Sequence, residues 1–345
     1  MNEPREHPHA EPLTANGLLA VRRVMAVRQA ERALLEAEHA TPSDDTDRAD
    51  PGAPDGLAGR MLDRALAARP AGRPAGPWAS EDIDPLEALV QTQADLAHLL
   101  DELGPGDWDR PAAIESTTGW TVRDVVAHLV AVETYHRATL GHGTWEPPPG
   151  TEALHAAMTE PTVHALRSLP IEELRARWDE AVAASLAACR TEAAKPGRLR
   201  ERVDFTAIPF RVGTLMVLRA FEVWTHNDDI RRAVGRPLDA PDGARLALMS
   251  DLAVNAVPLG LLMTGRSGSG RTARIVLTGP GGGAWSQALN VGETPGRPDV
   301  VVVADVVDFC RVAARRMPAD DLVCHVEGDR LLAADVLAGV AVFAA

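Results

Sequence analysis

The stretch RAFEVWTHNDDI, residues 219–230, carries two side chains that set it apart from an ordinary core helix. Glu222 and His226 are four residues apart, so on an α-helix both leave one face about 6 Å from each other. Leu215 and Leu218 share this face, which predicts that it is turned toward a protein interior. Because burial of an ionisable group is costly unless it is paired or metal-bound, the spacing indicates either an intrahelical pair or part of a metal site.

A second histidine on an apolar helix face lies earlier, in GWTVRDVVAHL, residues 119–129. Val125 and Val132 share a face with His128, so this imidazole is also predicted to point inward. Two imidazoles and one carboxylate form a ligand set of catalytic zinc sites, which leave a fourth position open, and other divalent metals accept it too. The alternative is a hydrogen-bonded core histidine, with the later carboxylate and imidazole paired to each other.

Helical periodicity extends from these two stretches over much of the chain. Apolar residues recur at intervals of three and four in segments of about 20 residues, which is typical of a helical bundle. The four predicted helices cover residues 86–103, 121–140, 171–194 and 214–234.

The pattern changes after Pro237, where short β-rich runs alternate with helical segments. The strands are predicted at residues 274–277, 288–291, 300–303 and 322–326, and the helices at 244–263, 306–315 and 330–343. The chain is therefore predicted to have three parts: an N-terminal extension over residues 1–81, a four-helix bundle over 82–236 and a smaller mixed α/β domain over 237–345.

The extension, residues 1–81, is rich in Pro, Gly and Asp. Helices are predicted at residues 18–38 and 57–69, and the segments between and after them favour solvated linker. The extension is expected to contact a protein partner, to form a lid or to be a mobile tail.

Composition excludes several classes of partner. The 49 acidic residues outnumber the 35 basic ones and no basic stripe is found, which argues against nucleic acid. The most apolar segment, residues 253–263, is far shorter than the roughly 20 residues that span a bilayer, so no membrane is expected. The 3 cysteines are far apart and form no CxxC pair, so the sequence does not indicate a disulfide framework. This favours a location in the reducing cytoplasm.

The two histidine-bearing stretches, with AVG at residues 233–235, resemble the mycothiol-dependent maleylpyruvate isomerases within the DinB-like superfamily of metal-binding four-helix bundles. HVEGDR, residues 325–330, followed by a helical pattern, is similar to the ending of that family's C-terminal domain, which is related in shape to sterol-carrier proteins. The resemblance implies a DinB-like bundle in which His128, Glu222 and His226 ligate zinc (Zn2+, or another divalent metal). Residues 1–81 have no counterpart in the family.

The resemblance also implies that mycothiol is the thiol cosubstrate of a metalloenzyme. Coordination to a cationic metal favours the thiolate, which would either isomerise a maleylpyruvate-type substrate or take part in S-transfer to a small electrophile. Asp229 is expected either to orient a ligand imidazole or to solvate the helix end. Arg219 is expected to neutralise Glu222 or to receive a substrate carboxylate.

Two other functions remain open from the sequence. One is a non-catalytic binding or regulatory protein with a structural metal, and the other is a metal-free bundle adapted to another reaction. Four further histidines flank the bundle, where they could line its cavity, but they are expected to be exposed: His136, His142, His155 and His164.

Overall fold

The computed structural model describes residues 83–112, 119–146, 155–205 and 208–341. They form a helical part followed by a smaller part built on a mixed sheet, which confirms the predicted fold class. The predicted extension and its two helices lie outside the described residues, and the predicted domain boundaries stay predictions.

The four predicted bundle helices are all present. They are α1 (Pro85–Asp101), α2 (Val122–Thr139), α4 (Ile171–Ala193) and α5 (Val212–Ala233). The start of α1 follows from its sequence, because the Asp84 carboxylate accepts a hydrogen bond from the Leu86 amide at 2.8 Å and Pro85 needs no such partner. Helix α1 packs on α5, and α2 packs on α4.

One α-helix and one hairpin of the helical part were not predicted. A further helix, α3 (His155–Leu166), packs on α2, and a short antiparallel hairpin precedes α5, formed by β1 (Arg202–Phe205) and β2 (Ile208–Arg211). Helix α3 contains Pro161 in its interior, and each hairpin strand has only 4 residues, so neither gives a clear periodic pattern.

The mixed part has a four-stranded sheet in the order β4-β3-β5-β6, in which β3 and β5 are parallel and the outer pairs are antiparallel. Its elements are α6 (Gly243–Asn255), α7 (Val257–Met263), β3 (Thr272–Thr278), β4 (Ala284–Ala288), β5 (Val300–Asp305), α8 (Val306–Ala313), β6 (Cys324–Gly328) and α9 (Arg330–Val340).

Two of the predicted elements of this part differ most from the structure in their bounds. The single helix predicted at residues 244–263 is two helices bent by 42°, because Pro258 cannot donate a backbone hydrogen bond in a continuous helix. The strand predicted at 288–291 instead ends at Ala288, which lies opposite Thr272, where its partner β3 begins.

The main hydrophobic core crosses from the bundle into the mixed part. Phe221 and Trp224 of α5 belong to the same buried cluster as Leu246 and Met249 of α6 and Ile275 of β3. Within the described residues no single helix is long and apolar enough to cross a membrane, although the bent pair α6–α7 would pass that test of length and composition. The continuous core joins α5 of the bundle to the mixed part, where α5 packs on α6.

Candidate metal centre

The three predicted ligands meet where α2 faces α5. His128, Glu222 and His226 each offer a ligand atom, and these atoms all lie within 4.8 Å of one another. His128 Nε2 is 3.3 Å from Glu222 Oε1, and the two imidazole centroids are 5.1 Å apart. Both histidines are buried, whereas the Glu222 side chain is 16% exposed, so the group reaches solvent at Glu222.

Each imidazole is held through its Nδ1 atom by a neighbouring polar group. His128 Nδ1 lies 2.8 Å from Thr159 Oγ1 on α3, and His226 Nδ1 lies 3.0 Å from Asp229 Oδ2 one turn along α5. A neutral imidazole that donates through Nδ1 keeps its lone pair on Nε2. The Asp229 carboxylate can only accept, so a neutral His226 ring presents Nε2 as its ligand atom; the Thr159 hydroxyl can accept from His128 Nδ1 and leave Nε2 of that ring in the same role. The sequence did not predict Thr159 as a partner of His128, because helix α3 was not predicted.

A buried ion-pair network fixes the carboxylate of the group. Arg219 is fully buried and donates Nη1 to Glu222 Oε2 and Nη2 to Glu133 Oε1. Gln93 Nε2 donates to the same Glu133 oxygen at 2.6 Å. Burial by itself lowers the pKa of Arg219, but the two carboxylates raise it above its usual value, so the guanidinium stays charged. Of the two predicted roles of Arg219, this arrangement matches neutralisation of Glu222.

Asp229 is itself anchored by an arginine from the mixed part. Arg316 donates Nε to Asp229 Oδ1 at 2.8 Å and Nη2 to Oδ2 at 2.6 Å. Burial raises the pKa of Asp229, but hydrogen bonds from His226 and Arg316 hold it below its ordinary value. This contact between distant segments has no signature in local sequence spacing.

The predicted exposure of the other histidines is wrong for His136. This side chain is fully buried, with Nδ1 at 3.0 Å from Ser185 Oγ, and burial lowers its pKa to about 4. His142 is partly buried against Glu192 at 2.7 Å, and His164 is exposed, as expected. The prediction for His155 concerns a side chain outside the part of the chain that the structure describes.

The donor set fits a divalent cation. Two neutral imidazoles and one carboxylate are a zinc ligand set, and the burial of the two imidazoles with fixed Nδ1 partners leaves their Nε2 atoms for coordination. Fold and site together define the class of protein, a helical bundle with a candidate His–Glu–His metal centre.

Comparison with known proteins narrows this class. Residues 89–231 match the family model of the mycothiol maleylpyruvate isomerase N-terminal domain, which confirms the resemblance over the bundle. No curated protein matches the chain. Two similar solved structures are the mycothiol-dependent maleylpyruvate isomerase and a point mutant of it, each 17% identical over 70% of this chain and 91% of theirs, with TM-scores of 0.46 and 0.47.

Proposed function

We propose that this protein is a mycothiol-dependent metalloenzyme of isomerase type, in which His128, Glu222 and His226 hold a divalent metal, zinc by preference. The observation that carries the proposal is that the three ligand atoms lie within 4.8 Å of one another, inside the residues that match the isomerase domain model.

The chain's own residues supply binding and orientation. Thr159 and Asp229 fix the two imidazoles, and Arg219 holds the carboxylate of Glu222 while balancing its charge. When bound, the metal supplies positive charge that lowers the pKa of a thiol from its ordinary value of about 8.5. The partly exposed edge at Glu222 is the side from which a thiol and a small electrophilic substrate reach the centre.

A catalytic role is favoured over a purely structural metal by the number of donors. Structural zinc sites are closed by four protein ligands, whereas catalytic sites use three and keep one position open. Within the described residues the group contains three donors, which supports the enzyme. Because the similar proteins are named isomerases, we place isomerisation before S-transfer.

The ligand assignment is tested by metal analysis of the purified protein. We expect His128→Ala and His226→Ala each to retain less than about one tenth of the wild-type zinc, because two donors hold this ion poorly, while far-UV circular dichroism stays unchanged. Glu222→Gln should retain less zinc than wild type because an anionic ligand is lost. His164→Ala is the matched control, since this histidine is exposed on α3.

The same samples test the thiol. Cobalt-loaded wild type should develop a sulfur-to-metal charge-transfer band when mycothiol is added, and the alanine variants should not. Full metal content in both histidine variants would contradict the ligand set. A metal-loaded wild type without a spectral change at saturating mycothiol would instead contradict thiol activation alone.

A further inference from the structure

Two arginines of the mixed part form ion pairs with consecutive aspartates of α5. Arg311 of α8 donates Nε to Asp228 Oδ2 at 3.0 Å, and Arg316, which follows α8, makes the two-pronged contact with Asp229. The side chains of both aspartates are only 1% exposed. The mixed part therefore contacts α5 directly beyond His226, through two charge pairs of the same chemistry.

Only one of these pairs continues to the candidate metal centre. Asp229 Oδ2 contacts both Arg316 Nη2 and His226 Nδ1, so one oxygen joins the arginine to the imidazole. Asp228 has no such continuation, since its Oδ1 has no hydrogen-bond partner among the described residues. Arg232 also faces Asp229, but at 3.8 Å from Oδ1 and with a third of its side chain exposed.

The backbone after α8 fixes the position of Arg316. The amide of Arg316 donates to the Arg311 carbonyl at 2.8 Å, and that of Arg315 donates to the Val312 carbonyl at 2.9 Å. This pair of bonds is a Schellman turn, whose left-handed position usually holds glycine. Here Arg315 adopts it with φ of 54°, an uncommon conformation for a residue with a Cβ atom. The guanidinium thus extends from a defined turn.

We propose that Arg316 is a positioning residue of the metal centre, which fixes the Asp229 carboxylate and thereby the ring of His226. The inference rests on the proposed metal-binding function and deepens it. It makes the mixed part a component of the centre, because this part supplies the anchor of one ligand. A guanidinium suits this task because its planar fork binds both carboxylate oxygens at once.

An electrostatic role and a positioning role of Arg316 predict opposite effects of its substitution on metal affinity. Loss of a positive charge near a cation would strengthen metal binding, so an arginine acting through charge alone gives tighter binding in Arg316→Gln and no change in Arg316→Lys. An arginine acting by position gives weaker binding in both variants, because neither side chain can hold the two oxygens in one plane.

The test is zinc affinity of the full chain, measured by competition with a chelator. We expect Arg316→Gln and Arg316→Lys each to bind zinc about 10-fold more weakly than wild type, the lower end of the range for groups that orient ligands. Arg311→Gln and Arg311→Lys are the matched controls, since they break an equally buried pair that does not reach His226. Their affinities should stay within about twofold of wild type. In the Asp229→Asn background, Arg316→Lys should cause no further loss.

A second readout does not require metal. In the metal-free protein, ¹⁵N chemical shifts of His226 should report one dominant tautomer, protonated at Nδ1, and Arg316→Lys should mix the two tautomers while Arg311→Lys does not. Because the lysine variant keeps a positive charge opposite buried Asp229, it preserves the fold if the glutamine variant does not. Wild-type affinity in Arg316→Lys, or equal losses in the Arg311 variants, would overturn the inference. Absence of zinc binding by the wild type would overturn the proposed function itself.

Discussion

At the scale of single residues, His136 shows how the polar interior of the bundle depends on protonation. Its fully buried ring faces Glu133, Arg219 and Glu222, and burial outweighs the two carboxylates in lowering its pKa to about 4 from the ordinary 6.5. The folded protein therefore holds a neutral imidazole beside Ser185 at pH values where the unfolded chain binds a proton. Folding and protonation of this residue oppose each other.

We predict that the free energy of unfolding falls as the pH drops from about 6.5 to about 4. Over this range the unfolded state binds a proton at His136 and the folded state does not. The pKa difference corresponds to about 3 kcal/mol of unfolding free energy at its full extent. Urea unfolding of chelator-treated protein between about pH 7 and 4.5 measures it. His136→Asn, whose amide replaces the Nδ1 contact with Ser185, should lose this component of the pH dependence. Equal slopes in both proteins would refute the prediction.

Among the single residues of the site, the three candidate ligands were predictable from the sequence, whereas several of the groups that hold them were not. Glu222 and His226 were predictable as a pair because helical spacing places both on one face, and His128 because its neighbours on the helix are apolar. Asp229 and Arg219 were predictable from the same helical spacing. Thr159, Glu133 and Arg316 were not, since they come from other segments and meet this group only through tertiary packing. Local periodicity carries no information on such contacts.

At the scale of elements, the glycine-rich loop between β3 and β4 fits tightly against the start of α6. Gly281 has φ of 79°, and a Cβ atom there would lie 2.6 Å from Leu246 Cβ and 2.8 Å from the Ala247 amide. The loop is therefore constrained both by its own backbone and by the helix that it touches.

We predict that Gly281→Ala destabilises the protein by about 3 kcal/mol, the sum of a left-handed backbone penalty and overpacking against α6. Gly270→Ala is the control, because Gly270 has φ of 68° but no atom within 4 Å of the added Cβ, and it should cost about 1 kcal/mol. Urea unfolding of the three proteins gives both values. Equal losses in the two variants would show that the loop yields to the extra methyl group.

Element length decided which parts of the fold could be predicted. The four bundle helices have 17 to 23 residues, long enough for an apolar face to repeat several times. Helix α3 has 12 residues and an internal proline, and the hairpin strands have 4 residues each, so their patterns are too short to separate from loops. Strand β4 was misplaced because its bounds follow from pairing with β3 rather than from its own composition.

At the scale of the whole molecule, the bundle and the mixed part share one buried core. The core cluster joins residues of α5 with residues of α6 and the sheet, and the Arg311 and Arg316 pairs cross the same interface. Separation of the two parts would expose this apolar surface and remove Arg311 from Asp228 and Arg316 from Asp229. Each part therefore depends on the other for stability, which is the physical basis of cooperative unfolding.

We predict that both parts unfold in one transition. The alkylation of one buried cysteine in each part measures this. Cys189 lies in α4 and Cys310 in α8; both are fully buried, and burial raises their pKa values, to about 12 for Cys189, so neither thiol reacts in the folded protein. A pulse of alkylating reagent at increasing urea, mapped by mass spectrometry, should label both with the same midpoint. Half-buried Cys324 on β6 serves as an internal control for the reagent. Labelling of Cys310 at clearly lower urea than Cys189 would mean that the mixed part unfolds alone and that the shared core couples the two parts only weakly.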